Sequence, residues 1–219
     1  MSTRPAAAPD LERRTAEEVL AYAVERFHPS LVMACSFQKE ESVMVDMLMR
    51  IEPNARVFTL DTHVLFEETR AAWRAFEARW GVSVEIHDVL EPTSADWTRE
   101  HCCSGSDGGT NAKAESLRRA LDGAGAWIIG MRREQSPTRS DASKLEWDER
   151  NGLWKVNPLA DWTERRLWTY IHEHELPYNA LHDQGYESIG CAPCTLPGSG
   201  REGRWPGSVK TECGLHREA

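Results

Sequence analysis

The 219-residue chain carries six cysteines, and their spacing is its most chemically suggestive feature. Cys102 and Cys103 are adjacent, Cys191 and Cys194 form a Cys-x-x-Cys turn, and Cys213 stands in a polar tail between Lys210 and His216. In a chain without an export signal, such cysteines point to metal ligands or catalytic thiols ahead of disulfides. A Cys-x-x-Cys turn lets two thiolates reach one metal centre. Adjacent cysteines suit a single zinc poorly, whereas neighbouring thiolates can bind different irons of a larger iron–sulfur cube. The order of readings is therefore a cluster, then zinc, then bare or redox-paired thiols. Cys213, near a cation and a histidine in a glycine-containing tail, has the surroundings of a nucleophile with a lowered pKa; an incidental terminal cysteine is the alternative. Cys35 lies inside an apolar run and reads as a small buried hydrophobe.

Three further segments carry polar groups suited to an anionic nucleotide. Ser36-Phe-Gln-Lys39-Glu-Glu-Ser42 opens a helix, where backbone N–H groups, hydroxyls and Lys39 can hold a phosphate. Leu60-Asp61-Thr62-His63 places an acid and a hydroxyl where a ribose or base would lie. Gly130-Met-Arg-Arg-Glu-Gln-Ser-Pro-Thr-Arg139 offers Arg132, Arg133 and Arg139 for bidentate contacts to a multiply charged anion. Each alone is an ordinary cap or a solvated loop. At three strand ends of one sheet they reinforce each other.

The elements that would position these groups alternate. A capping box at Thr15-Ala-Glu-Glu18 starts an amphipathic helix, followed by a strand over 31–37, a helix over 43–51, a strand over 56–60 and a helix over 65–80. Further strands are expected at 82–87 and 127–131, with a helix around Leu117 to Leu121. This order implies an α/β fold, a Rossmann-like parallel sheet with helices on both faces, plus an irregular C-terminal tail. The expected division is a mobile N-terminus at 1–9, the α/β domain at 10–182 and a cysteine-bearing segment at 183–219. His172, His174 and His182 have no partner pattern and read as surface residues, while Trp162 and Trp168 read as packing.

With 26 basic against 35 acidic residues, the formal charge of −9 opposes a non-specific nucleic-acid binder. No apolar run approaches the roughly 20 residues of a membrane helix. Nor does the N-terminus carry the apolar core of a signal peptide, so a cytoplasmic location is expected.

Together these segments closely resemble the assimilatory adenylyl-sulfate reductases, which share a fold with phosphoadenylyl-sulfate reductases and the wider adenine nucleotide alpha-hydrolase-like, or ATP-pyrophosphatase-like, superfamily. The similarity runs from about Leu31 to His216. Its most specific parts are the two cysteine pairs, the Gly130 to Arg139 loop and the terminal Glu212-Cys-Gly-Leu-His216. The resemblance implies that Cys102, Cys103, Cys191 and Cys194 hold a 4Fe–4S cluster and that Cys213 is the nucleophile. It further implies that Arg201, Arg204 and His216 line a sulfate pocket, and that Lys113 approaches cluster and substrate. Three departures stand out: no glycine in Ser36 to Ser42, His63 where the family usually has glycine, and an insertion, Ser104 to Ala112, before Lys113.

The implied reaction is reduction of adenylyl sulfate to sulfite and AMP through an S-sulfocysteine, with thioredoxin or a similar dithiol as reductant. Rival readings are a reductase for the 3′-phosphorylated nucleotide, an ATP-pyrophosphatase-type thiolation enzyme and a zinc-stapled interaction domain. The sequence leaves the oligomeric state, including a homo-oligomer, open.

Overall fold

A computed structural model of the chain describes residues 9–89, 112–207 and 215. Helix α1 (Ala16–Phe27) begins at the expected capping box: the Glu18 N–H donates to Thr15 Oγ1 at 3.2 Å, and the Thr15 N–H to Glu18 Oε2 at 2.8 Å. Its Val19, Leu20, Ala23 and Phe27 are buried. A cap is worth about 1 kcal/mol and each large buried apolar side chain about 1.5–3 kcal/mol, so packing holds the helix and the cap sets where it starts.

Six strands form one sheet: β1 (Leu31–Ala34), β2 (Arg56–Asp61), β3 (Val84–Asp88), β4 (Ala126–Ile128), β5 (Leu145–Asp148) and β6 (Leu153–Val156). Their spatial order is β3-β2-β1-β4-β6-β5. All neighbours run parallel except β5 with β6. Side chains alternate across it, with Leu31 and Met33 entering one core and Val32 the other. The first core also takes buried residues from α1, α2 (Lys39–Ile51), α3 (Glu67–Trp80) and α5 (Glu164–Glu173). The second takes them from α4 (Ala112–Ala120) and from Cys191, Cys194 and Trp205.

The sheet is mostly parallel, as expected, with the antiparallel β5 added at its β6 edge. These two strands form a hairpin whose turn is built from Asn151-Gly152. Asp148 accepts from the Asn151 N–H at 3.1 Å, and Gly152 has a φ of 69°, a left-handed conformation that glycine adopts without strain. The first strand also ends earlier than its apolar run, because Phe37 at a φ of 58° turns the chain and stacks its ring on Trp73. Among the described residues no helix is long and apolar enough to cross a membrane.

Candidate active site

Parallel sheets bind ligands where the strands end. The ends of β1, β2 and β4 here line a cavity of about 390 Å³, a size suited to a small organic ligand. Phe58, Leu60, Leu117, Trp127 and Ile129 give it apolar walls. Two glycines allow close approaches around it. A Cβ on Gly130 would lie 2.6 Å from Glu41 Oε1 and 2.8 Å from Glu40 Cβ, so only glycine lets the chain after β4 lie on the first turn of α2. A Cβ on Gly190 would collide with the Arg204 guanidinium, which rests on that backbone.

Of the residues expected to bind substrate, Ser36, Lys39, Lys113, Arg132, Arg139, Arg201 and Arg204 line this cavity. They fall into two electrostatic groups. Arg132 is buried among carboxylates: its Nε donates to Glu40 Oε1 at 3.0 Å, Nη1 to Glu134 at 3.2 Å, and Nη2 to Glu164. Lys39 Nζ lies 2.8 Å from Glu164 Oε1 and donates to the Glu187 carbonyl at 2.9 Å. These two cations thus neutralise the protein's own acids. Burial drives Glu40 toward protonation, but Arg132 and Lys39 outweigh it and hold that carboxyl below its usual range. Glu41 has no such partner among the described residues. Burial, reinforced by Glu40, pushes it up to about 8, although Ser36 Oγ and the Gln38 N–H donate to it.

The second group is different. Arg204 pairs with no carboxylate among the described residues. Its Nη1 donates to Ser188 Oγ and to the Ile189 carbonyl, each at 3.1 Å. Its guanidinium lies 4.6 Å from the Trp205 ring centroid, and its Nε is buried without a hydrogen-bond partner. Arg201 lies over the same ring, 5.4 Å from the centroid. Arg139, 6% exposed, donates to Gln135 Oε1 at 2.6 Å.

The remaining expected residues lie elsewhere. Arg133 turns away from the cavity, donating to the Ala142 carbonyl at 2.8 Å and contacting Glu12. Asp61 is buried beneath the strand end, where it accepts the His63 N–H at 2.7 Å. Thr62 approaches a cysteine, with Oγ1 3.2 Å from Cys191 Sγ. His63 adopts a φ of 60°, which explains why glycine suits this position. Cys102, Cys103, Cys213 and His216 lie outside the described residues.

His182, read from sequence as a surface residue, caps a helix. Its Nδ1 lies 2.7 Å from the Tyr186 carbonyl, which fixes the proton on Nδ1 and leaves Nε2 to accept the Lys39 N–H at 3.2 Å. Burial, aided by the Lys39 ammonium, holds this imidazole below its usual pKa. The N-terminus of α2, expected to hold a phosphate with its N–H groups, is thus already engaged by protein. Glu40, Glu41, Glu164 and His182 are the residues that motif reading missed; the adjacent acids of the helix start were the available signal.

Cys191 and Cys194 are 2% and 1% exposed on a single turn of 310 helix. The turn is pinned by the Ala192 N–H donating to Val64 O, and the Trp205 N–H donating to Cys194 O, both at 2.9 Å. Two thiols in an apolar wall, one beside a hydroxyl, form a soft donor pair that suits zinc or iron–sulfur ligation. Among the described residues no group of three or more His, Cys, Asp or Glu side chains is arranged to hold a metal. The pair fits half of a four-thiolate set.

A family model described as phosphoadenosine phosphosulfate reductase domain matches residues 30–197. A phosphoadenosine 5′-phosphosulfate reductase of Gloeobacter violaceus is 42% identical over 217 residues, covering 91% of this chain and 88% of that protein. An adenosine 5′-phosphosulfate reductase of Geobacillus thermodenitrificans is 39% identical, over 97% of this chain and 94% of that protein. In structure the chain is similar to a phosphoadenylyl-sulfate reductase of Candida auris solved as a phosphate complex, with a TM-score of 0.70, 28% identity and coverage of 85% and 92%. An FMN adenylyltransferase of Candida glabrata, 15% identical at a TM-score of 0.63 over 84% of this chain and 62% of that one, shares the fold.

Proposed function

The chain belongs to the phosphoadenosine phosphosulfate reductase family, and from that premise we propose that it reduces adenylyl sulfate to sulfite and AMP with a dithiol such as thioredoxin. The observation that carries this reading is the cavity itself. Arg201, Arg204, Arg139 and Lys113 line it, while Glu40 and Glu164 on its wall are neutralised by Arg132 and Lys39.

In the proposed cycle the Cys213 thiolate attacks the sulfur of adenylyl sulfate. The S–O bond to the phosphate breaks, AMP leaves with the bonding pair, and Cys213 carries an S-sulfonate. A thiolate of the dithiol then attacks Cys213 Sγ and expels sulfite. The second thiol resolves the mixed disulfide, so the dithiol is oxidised by two electrons and Cys213 returns as a thiolate. A thiolate approaching an anionic sulfate needs local positive charge, which the arginines supply. Arg204 and Arg201, held over Trp205, orient the sulfate, and His216 is the third basic residue the reading assigns to it. Arg139 and Lys113 receive the phosphate side of the ligand, with Ser36 beside it. The apolar walls at Leu60, Trp127 and Ile129 exclude water from the base.

Cys102, Cys103, Cys191 and Cys194 would hold the 4Fe–4S cluster of this reading. When bound it supplies a fixed electrostatic field at the wall that Cys191 contributes, and a tie between remote segments.

The test is sulfite release by anaerobically prepared protein with thioredoxin and each of the two nucleotides. Adenylyl sulfate is expected to be the better substrate. A preference for the 3′-phosphorylated nucleotide would favour the second reading, which the Gloeobacter relative supports. Cys213→Ser is expected to abolish sulfite release while leaving AMP affinity and melting temperature unchanged, and substantial turnover by that variant would place the nucleophile elsewhere.

A further inference from the structure

In an α/β fold the N-terminus of the helix after a central strand is a ready seat for a phosphate, because its first N–H groups have no partner within the helix. In this chain that seat, at the start of α2, is occupied by protein. The Gln38 N–H donates to Glu41 Oε2 at 3.0 Å. The Lys39 N–H donates to His182 Nε2 at 3.2 Å. The segment bearing His182 is fastened there by two more bonds, from the Ile189 N–H to Gln38 Oε1 at 2.8 Å and from Lys39 Nζ to the Glu187 carbonyl at 2.9 Å. His182 does not line the cavity. It sits behind Lys39, which does.

Given a nucleotide in this cavity, which is the reading above, we propose that His182 is a specificity-determining residue: it takes the place of a terminal phosphate at the α2 N-terminus and so excludes nucleoside 5′-triphosphates. The imidazole satisfies the helix donor with a neutral acceptor, and the ionised Glu40 in the same turn satisfies the helix dipole. A polyphosphate chain extending toward α2 would have to displace the ring and meet that carboxylate. A nucleotide bearing a single 5′-phosphate, with one further group directed toward Arg201 and Arg204, meets neither obstacle.

The experiment measures AMP and ATP as competitive inhibitors of sulfite release by the full-length, cluster-containing protein. It uses wild type, His182→Asn and His182→Gln, each with its melting temperature. An Asn amide can keep the contact to the Tyr186 carbonyl but falls short of Lys39, whereas a Gln carbonyl can reach the Lys39 N–H. Wild type is expected to favour AMP over ATP by more than about 30-fold. His182→Asn should narrow that ratio about tenfold with AMP affinity changed less than about threefold, and His182→Gln should keep the wild-type ratio. Equal ratios in wild type and His182→Asn would overturn the proposal, as would a wild type that binds ATP as tightly as AMP. Failure of wild type to bind AMP at all would instead overturn the functional reading, so the two failures are distinct.

Discussion

Arg204→Lys separates a built anion contact from ordinary surface charge. The wild-type guanidinium is held by three features that an ammonium cannot reproduce together: two hydrogen bonds from Nη1 at 3.1 Å, a stack on Trp205 and seating against the Gly190 backbone. Both protein hydrogen bonds go to neutral acceptors, so their loss should cost folding only about 0.5–1.5 kcal/mol apiece. A charge-assisted contact to the substrate is worth about 1.5–3 kcal/mol, or roughly 10- to 150-fold in kcat/KM. The expected pattern is therefore a small fall in melting temperature beside a large fall in kcat/KM for sulfite release. Arg133→Lys is the matched control, since Arg133 sits in an arginine-rich loop of the site yet faces Glu12 and the Ala142 carbonyl. It should leave kcat/KM within about threefold. An Arg204→Lys enzyme equally close to wild type would refute the assignment of that arginine to the anion.

Two further variants test the electrostatics of the α2 end. Arg132→Met strands Glu40, itself 3% exposed, and should cost about 3–5 kcal/mol in urea unfolding, much of it recovered by adding Glu40→Gln; a loss below about 1 kcal/mol would show that the network does not hold the site. Glu41 carries a carboxyl raised to about 8, so the folded state retains a proton that the unfolded chain, with an ordinary glutamate carboxyl, releases near 4.5. Wild type should therefore lose stability relative to Glu41→Gln as pH rises between these two values, then run parallel to it above about 8, with a gap on the order of a few kcal/mol. A gap that does not change with pH would mean that Glu41 is ionised in the fold.

How much the sequence disclosed follows from the range of the interactions. Val19, Leu20, Ala23 and Phe27 repeat at helical spacing because one face of α1 meets the sheet, so local pattern and tertiary burial agree. The β5–β6 hairpin was also locally encoded, in Asn151-Gly152, but Trp and charge on its strands disguised the alternation. Motif reading placed Arg132, Arg133 and Arg139 in one anion loop. It had no means of knowing that Glu40, some ninety residues upstream, would meet Arg132, or that Arg133 would turn to Glu12. His182 was illegible for the same reason. Its meaning depends on Lys39, 143 residues away, and a lone histidine carries no periodicity that marks a cap.

The division of charge in the cavity accounts for how a chain at −9 can attract a dianion. Long-range attraction is weak at that net charge, and salt screens it within about 10 Å. The positive field must therefore be local and must remain unneutralised until the ligand arrives. Cations beside buried carboxylates do not meet that condition, and Lys39 and Arg132 accordingly brace the α2 end. Arg204 meets it because its protein contacts are a hydroxyl, a carbonyl and an indole face, which orient the guanidinium without cancelling its charge. The aromatic platform does what a carboxylate would otherwise do, holding an arginine still while leaving its charge uncancelled.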